Sequence, residues 1–307
     1  MTLLDRISQR FRRDFFRHLY RRTAKQILQT PPINKGKENF ILLSMMHTRD
    51  LLSYLVAVKS FASRINPQRI VMVCDPTVSP SDRLIVTEHV PHIEFRDADE
   101  FVAPEIPRGG TWERIYAISE YAKKNYVVQL DADTITCADL PEVASAIANG
   151  SGFVLGETPG QGFLSLAETR ANALPKRSPD AHIQTLAEAA IAEIGLPETA
   201  RYVRGCSGFT GFPSTPDMRD DLLDFSSRMK HCLGEGWGRW GTEQVTSNYL
   251  VANVPTASVL PFPEYGTPDL ATEASKFLHF IGSMRFVNSK YEARSRQAID
   301  SLKQTAR

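Results

Sequence analysis

Apolar residues near the amino end recur at steps of four, Leu3, Ile7, Phe11, Phe15 and Leu19, with Leu4, Phe16 and Tyr20 beside them and arginines around the rest of the turn. That spacing predicts an amphipathic basic helix over residues 3–22. Residues 1–30 form a segment of their own that ends before Pro31 and Pro32, and NKGKEN reads as a linker. From Phe40 the period changes. FILLSMM (40–46) is a short apolar run suited to a buried strand, and the following RDLLSYLVAVKSFASRI places Leu51, Leu55, Val58, Ala62 and Ile65 on one helical face. RIVMVCD (69–75) is the next strand, Ser81 and Asp82 open a helix through His89, and IEFRD (93–97) is a third strand. A helix over 112–124 leads into the strand YVVQLD (126–131).

Strand alternating with helix predicts an α/β fold with parallel pairing and crossover helices on the sheet faces. Ligands in such sheets bind beyond the carboxyl ends of the strands. The polar residues there are His47 and Thr48 after the first strand, Asp75 after the second, and Asp131 and Asp133 after the fourth. The second half is less regular: a strand at 152–157, helices at 181–194 and 217–231, and glycine-rich RGCSGFTGFP and GEGWGRWG between them. We expect a ligand-binding half over residues 39–156, a second half of the same domain over 157–286, and a C-terminal helix or tail over 287–307.

The chain of 307 residues, 42% hydrophobic, is long enough to bury a full core. Its charge is almost balanced, Lys+Arg 36 against Asp+Glu 35, so no nucleic-acid partner is expected. The imbalance is local: residues 1–25 hold eight basic side chains against Asp5 and Asp14. Cys74, Cys137, Cys206 and Cys232 are scattered without a CxxC pair, which suggests reduced thiols and a cytoplasmic setting. The sequence contains no apolar run of the roughly 18–20 residues a membrane span needs, nor a signal-peptide core.

The chemistry concentrates at Asp131 and Asp133. Two carboxylates separated by one residue, just past a buried strand, can share a hard divalent cation such as magnesium or manganese and leave positions open for phosphate oxygens. Acids in strand-to-helix loops also cap helices, and Asp139 before Leu140-Pro141 fits that role.

The stretch WERIYAISEYAKKNYVVQLDADTITCADLPEV, from Trp112 to Val143, resembles the segment around the Asp-x-Asp motif of GT-A fold glycosyltransferases, particularly family eight, the relatives of glycogenin and of lipopolysaccharide galactosyl- and glucosyltransferases. The resemblance runs over about residues 40–286 and implies a GT-A domain, a UDP-sugar donor and Mn2+ or Mg2+. Arg114 matches an arginine that contacts the donor. SGFTGF (207–212) resembles the acceptor-side Asn-Ser-Gly strand, with Cys206 in place of the asparagine. His279-Phe280-Ile281-Gly282 with Arg285 resembles His-Phe-x-Gly-x-x-Lys, whose histidine is a third metal ligand and whose lysine holds the diphosphate. A guanidinium fork preserves phosphate binding at Arg285.

Each assignment has a plainer competitor. His279, beside Phe277, Leu278 and Phe280, also suits a hydrogen-bonded core histidine. Trp237 and Trp240 are suited either to stacking on a sugar in a mobile lid or to packing. Glu243 is the candidate general base of an inverting reaction, whereas in a retaining enzyme Gln244 or a backbone carbonyl faces the sugar; both also lie at a helix start after Thr242. Asp75 binds base or ribose, or ends its strand as a turn residue.

These features predict transfer of a hexose from a nucleotide diphosphate sugar to a hydroxyl of a glycan or lipid-linked acceptor, with a bacterial surface polysaccharide as the setting. A sugar-nucleotide nucleotidyltransferase would need a glycine-rich basic phosphate loop after the first strand, which SMMHTRD is not. A non-catalytic glycan- or nucleotide-binding protein is countered by intact Asp131, Asp133 and Arg114. The helix over 3–22 is expected either to meet an anionic membrane surface peripherally or to pack on the domain.

Overall fold

The computed structural model describes residues 3–282 and 284–304, with side chains from Gln9 onward. The chain opens with α1 (Leu3–Ala24), β1 (Glu38–Met46), α2 (Leu51–Ala62), β2 (Pro67–Cys74), α3 (Pro80–His89), β3 (Ile93–Asp97), α4 (Trp112–Ala122) and β4 (Val127–Leu130). Next come β5 (Thr134–Thr136), α5 (Pro141–Asn149), β6 (Phe153–Leu155), β7 (Leu164–Ser165), α6 (Leu166–Ala173), α7 (Ile183–Ala190), β8 (Arg201–Tyr202) and β9 (Cys206–Phe212). It closes with α8 (Met218–Leu233), α9 (Thr242–Ala252), β10 (Ser258–Val259), β11 (Tyr265–Gly266), β12 (Phe277–His279) and α10 (Lys290–Gln304).

β1 is apolar at successive positions because both its faces are covered. Phe40, Leu42 and Met46 enter one core with Tyr54 and Phe61 of α2, while Ile41 and Leu43 enter a second with Ile115 and Ile118 of α4. The main sheet has seven strands in the order β10-β6-β9-β4-β1-β2-β3. β1, β2, β3 and β4 pair in parallel, as the strand–helix alternation requires. β9 runs antiparallel to both β4 and β6, so the sheet is mixed. Residues from both expected halves therefore share one sheet.

A smaller sheet, β11-β12-β5, stands at the carboxyl end of β4. Its antiparallel β5–β12 ladder sets His279 opposite Thr134, immediately after the Asp131–Asp133 loop. Neither β5 nor β12, three residues each, is among the predicted strands, because that length holds too little period to read.

Two local expectations are corrected. Helix α3 begins one turn residue earlier, capped by Ser79, whose hydroxyl accepts from the Asp82 N–H at 3.2 Å while Asp82 accepts from the Ser79 N–H at 2.9 Å. Asp139 does not cap α5: the N-cap is Leu140, and the exposed Asp139 carboxylate pairs with Arg64 at 3.1 Å.

α1 divides along its length. Its last turns pack on α10: Tyr20 stacks on Tyr291 with centroids 4.1 Å apart, and Thr23 donates to Glu292 at 2.6 Å. Upstream, Phe11 and Phe15 are 73% and 63% exposed, so the apolar stripe is only partly used by the domain. The side chains of Leu3, Leu4 and Ile7 lie outside the described residues. Among the described residues no helix is long and apolar enough to cross a membrane.

Candidate metal centre

β4 ends at Leu130, and the backbone then turns so that the Asp131 N–H donates to the Gly208 carbonyl at 2.9 Å. The Thr134 hydroxyl closes the turn by donating to the Asp131 carbonyl at 2.8 Å, and the Phe280 N–H donates to the Asp133 carbonyl at 2.9 Å. These bonds hold Asp131, Asp133 and His279 to one point. His279 Nε2 is 3.1 Å from Asp133 Oδ1 and 3.8 Å from Asp131 Oδ2, and one ligand atom from each residue lies within 4.8 Å of the others. Neighbouring ligands of an octahedral ion with bonds of about 2.1 Å lie about 3 Å apart, so two hard oxygens and an imidazole nitrogen here suit a divalent cation.

The remaining oxygens of both aspartates are held away from that point. Arg114 donates to Asp131 Oδ1, and Arg285 Nε donates to Asp133 Oδ2 at 2.8 Å. Each carboxylate thus gives one oxygen to an arginine and turns the other toward His279 and the shared space. Arg114, 4% exposed, also donates to Glu243 Oε1 at 3.1 Å. Arg285 also donates to Asp50 at 3.0 Å.

The charges are unequal in effect. Burial raises the Asp131 carboxyl above its usual range against Arg114, and the Asp133 charge adds to the rise. Burial acts the same way on Asp133, but His279 and Arg285 outweigh it and hold that carboxyl down at about 2. Burial pushes the His279 imidazole down; Cys206 and Asp133 more than reverse it, so the group lies well above its ordinary value. Glu243 is raised by burial, with Arg114 opposing.

His279 Nδ1 lies 3.1 Å from the Cys206 thiol, so the residue replacing the expected asparagine still fixes the ring. Gly208 is required on the other side. A Cβ there would sit 2.2 Å from His279 Cε1, inside any allowed contact. The first glycine of the SGFTGF segment is where the imidazole rests.

Glu243, expected as a base, is buried with both oxygens engaged: Thr111 Oγ1 donates to Oε2 at 3.1 Å, and Ser207 reaches the same oxygen at 3.4 Å. Gln244 is partly exposed and donates to Gln184 at 3.2 Å. His47 Nδ1 lies 3.1 Å from Asp75, whose Oδ1 also accepts from the Thr77 N–H at 2.9 Å. Asp75 is therefore a turn residue as well as a partner of His47. Thr48 donates to Asp82 at 2.9 Å. Trp237 is fully buried, edge-on to Trp112 at 5.8 Å and donating to Ser226 at 2.9 Å, which places it in the core rather than in a lid. Trp240 is 71% exposed.

Three residues at the site were not singled out from sequence: Asp50, Thr111 and Gly208. Thr111 has φ +73°, a strained value for a β-branched residue, and follows two glycines of positive φ. The Gly-Gly-Thr run before a helix was the signal available for it.

Neither a family model nor a curated protein matches the sequence. Solved structures do match. WbbM, a bifunctional glycosyltransferase, superposes with a TM-score of 0.52 at 14% identity, over 87% of this chain and 51% of its own. The glycosyltransferase GlyE of Streptococcus pneumoniae gives 0.50 at 12% identity, over 88% and 63%. The galactosyltransferase LgtC, solved with donor and acceptor sugar analogues, gives 0.47 at 12% identity, over 85% and 96%. The chain spans about half of WbbM and under two thirds of GlyE. The fold is that of the GT-A glycosyltransferases, with an added N-terminal helix.

Proposed function

We propose that this chain is a metal-dependent glycosyltransferase that moves a hexose from a nucleotide diphosphate sugar, UDP-linked, to a hydroxyl of a glycan or lipid-linked acceptor. One observation carries the reading: Asp131, Asp133 and His279 converge on one point while Arg114 and Arg285 hold the opposite carboxylate oxygens. A GT-A fold around that point adds to it.

Transfer forms a bond from the acceptor oxygen to the anomeric carbon and breaks the bond from that carbon to the diphosphate, which leaves with the electron pair and takes up the proton that the acceptor hydroxyl loses. A bound manganese or magnesium ion would supply positive charge to that leaving group. Arg285 is the cation beside it that can bind phosphate oxygens through a fork. Asp50, Asp131, Asp133 and Glu243 face Arg114, Arg285 and a protonated His279. Exchanging the imidazole proton for a divalent ion raises the charge of this cluster by one, which favours an anionic donor. Arg114 orients Asp131, and Glu243 holds Arg114. We assign Glu243 that positioning role and Gln244, the more exposed neighbour, to the sugar side. His47, Thr48 and Asp75, beyond β1 and β2, are assigned to the nucleoside.

The exposed Phe11 and Phe15, flanked by arginines, suit peripheral contact with an anionic membrane. A bacterial surface polysaccharide is the setting this reading favours. The test is a thermal-shift screen of nucleotide diphosphate sugars with and without manganese, followed by donor hydrolysis. Manganese-dependent stabilisation by a UDP-sugar is expected, lost in Asp131→Asn and Asp133→Asn; unchanged turnover in either variant refutes the centre.

A further inference from the structure

A cavity that borders the donor-side residues Thr48 and Arg285 lies beside the metal centre rather than over Asp131 and Asp133. It has a volume of about 980 Å³ and opens between α1, the segment Thr48–Ser53 and the loop carrying Gly282 and Arg285. α1 supplies Arg13, Arg17, Arg21 and Arg22, Lys25 follows just past its end, and Arg49 and Arg285 complete the wall. The acidic lining residue is Asp50, and it is already paired with Arg285. Among the described residues no carboxylate pairs with Arg13, Arg21, Arg22 or Lys25, whereas Arg17 pairs with Asp14 at 3.0 Å.

So many like charges around one cavity call for an anion. A donor diphosphate engaged by a divalent ion and Arg285 has its charge met at the metal centre, which leaves the α1 cations for a second anionic group. The helix surface indicates what carries it. Phe11, Phe15, His18 and Arg22 follow the spacing i, i+4, i+7, i+11 and share one face of α1. That face passes from two exposed aromatic rings into the cationic lining of the cavity. A phosphate against Arg22 and His18 would therefore have its substituent running along Phe15 and Phe11.

We propose that this cavity binds the phosphate of a lipid phosphate, with the lipid chain along Phe15 and Phe11, and that α1 thereby brings a lipid-linked acceptor to the site. The acceptor role rests on the glycosyltransferase reading. The lipid-phosphate site itself does not.

The probes are decyl phosphate, inorganic phosphate and decyl glucoside, titrated against the full chain, with UDP and manganese titrated in parallel. Decyl phosphate should bind at least tenfold more tightly than either of the other two. The double substitution Arg21→Gln with Arg22→Gln, on exposed positions, should weaken it roughly 30-fold, from the usual effect of two basic residues facing an anionic group. Phe11→Ser with Phe15→Ser should remove the advantage over inorganic phosphate. Equal binding of decyl phosphate and inorganic phosphate overturns the lipid, and equal binding of decyl glucoside overturns the phosphate. Wild-type affinity in the arginine pair overturns the site, as does an equal loss of UDP affinity, which would assign the cavity to the donor. Decyl phosphate binding without UDP binding leaves the site standing and removes the glycosyltransferase reading.

Discussion

Substituting Gly208 by alanine tests the geometry of the metal centre more sharply than removing a ligand does. The added methyl lies 2.2 Å from His279 Cε1, 2.4 Å from Nδ1 and 2.7 Å from Nε2, so it meets the ring along the edge that carries both nitrogens. Carbon contacts settle near 3.5–4.0 Å, and the imidazole must retreat by about 1 Å. Ligand positions tolerate only about 0.2 Å. Cys206 holds one end of the ring and the β5–β12 ladder holds its backbone, so the retreat costs the Nε2 position rather than a simple rotation. Loss of ligand orientation lowers metal affinity by about 10- to 100-fold, and overpacking costs about 1–3 kcal/mol of stability.

Gly211→Ala separates the two effects. Its methyl would lie 2.2 Å from Phe153 Cε1, on the same strand but away from His279, so it should lose comparable stability and keep the metal. Manganese titration calorimetry with UDP present reads the affinity, and melting of the metal-free variants reads the stability. If Gly208→Ala binds manganese like the wild type, or if both variants lose affinity equally, His279 is not a ligand held on Gly208.

Two further outcomes follow from the charges and packing. In the metal-free protein the His279 value is raised, so its stabilisation is fully present below the unfolded value of about 6.5 and is lost as pH rises through the folded value. Manganese must displace that proton, so its affinity should rise about tenfold per pH unit as pH climbs toward the raised folded value, and a flat calorimetric profile would count against the assignment. Trp237→Ala should cost about 3–5 kcal/mol in denaturant unfolding, while Trp240→Ala should leave stability unchanged; the reverse order would mean the two rings have been misassigned.

What was legible in the sequence depended on how far each residue's partner lies along the chain. Asp131 and Asp133 could be placed because VVQL announces the buried strand that ends at them. Trp237 and Trp240 could not be told apart, since both stand among glycines; only Trp112, Ser226 and Phe225, arriving from other elements, take the first inside. His279 lies in an apolar run that reads equally as core, and the family resemblance was needed to single it out. The residues missed altogether have remote partners: Thr111 meets Glu243 from 132 positions away and Asp50 meets Arg285 from 235. Asp50 shows the physical reason. It stands at the N-cap of α2, where local rules assign its carboxylate to the helix, yet it makes no side-chain cap and turns to Arg285 instead. The Arg285 guanidinium, in its part-buried site, offers that carboxylate a charge-assisted bond stronger than a neutral backbone N–H gives. The competition was decided by a loop that periodicity within α2 says nothing about.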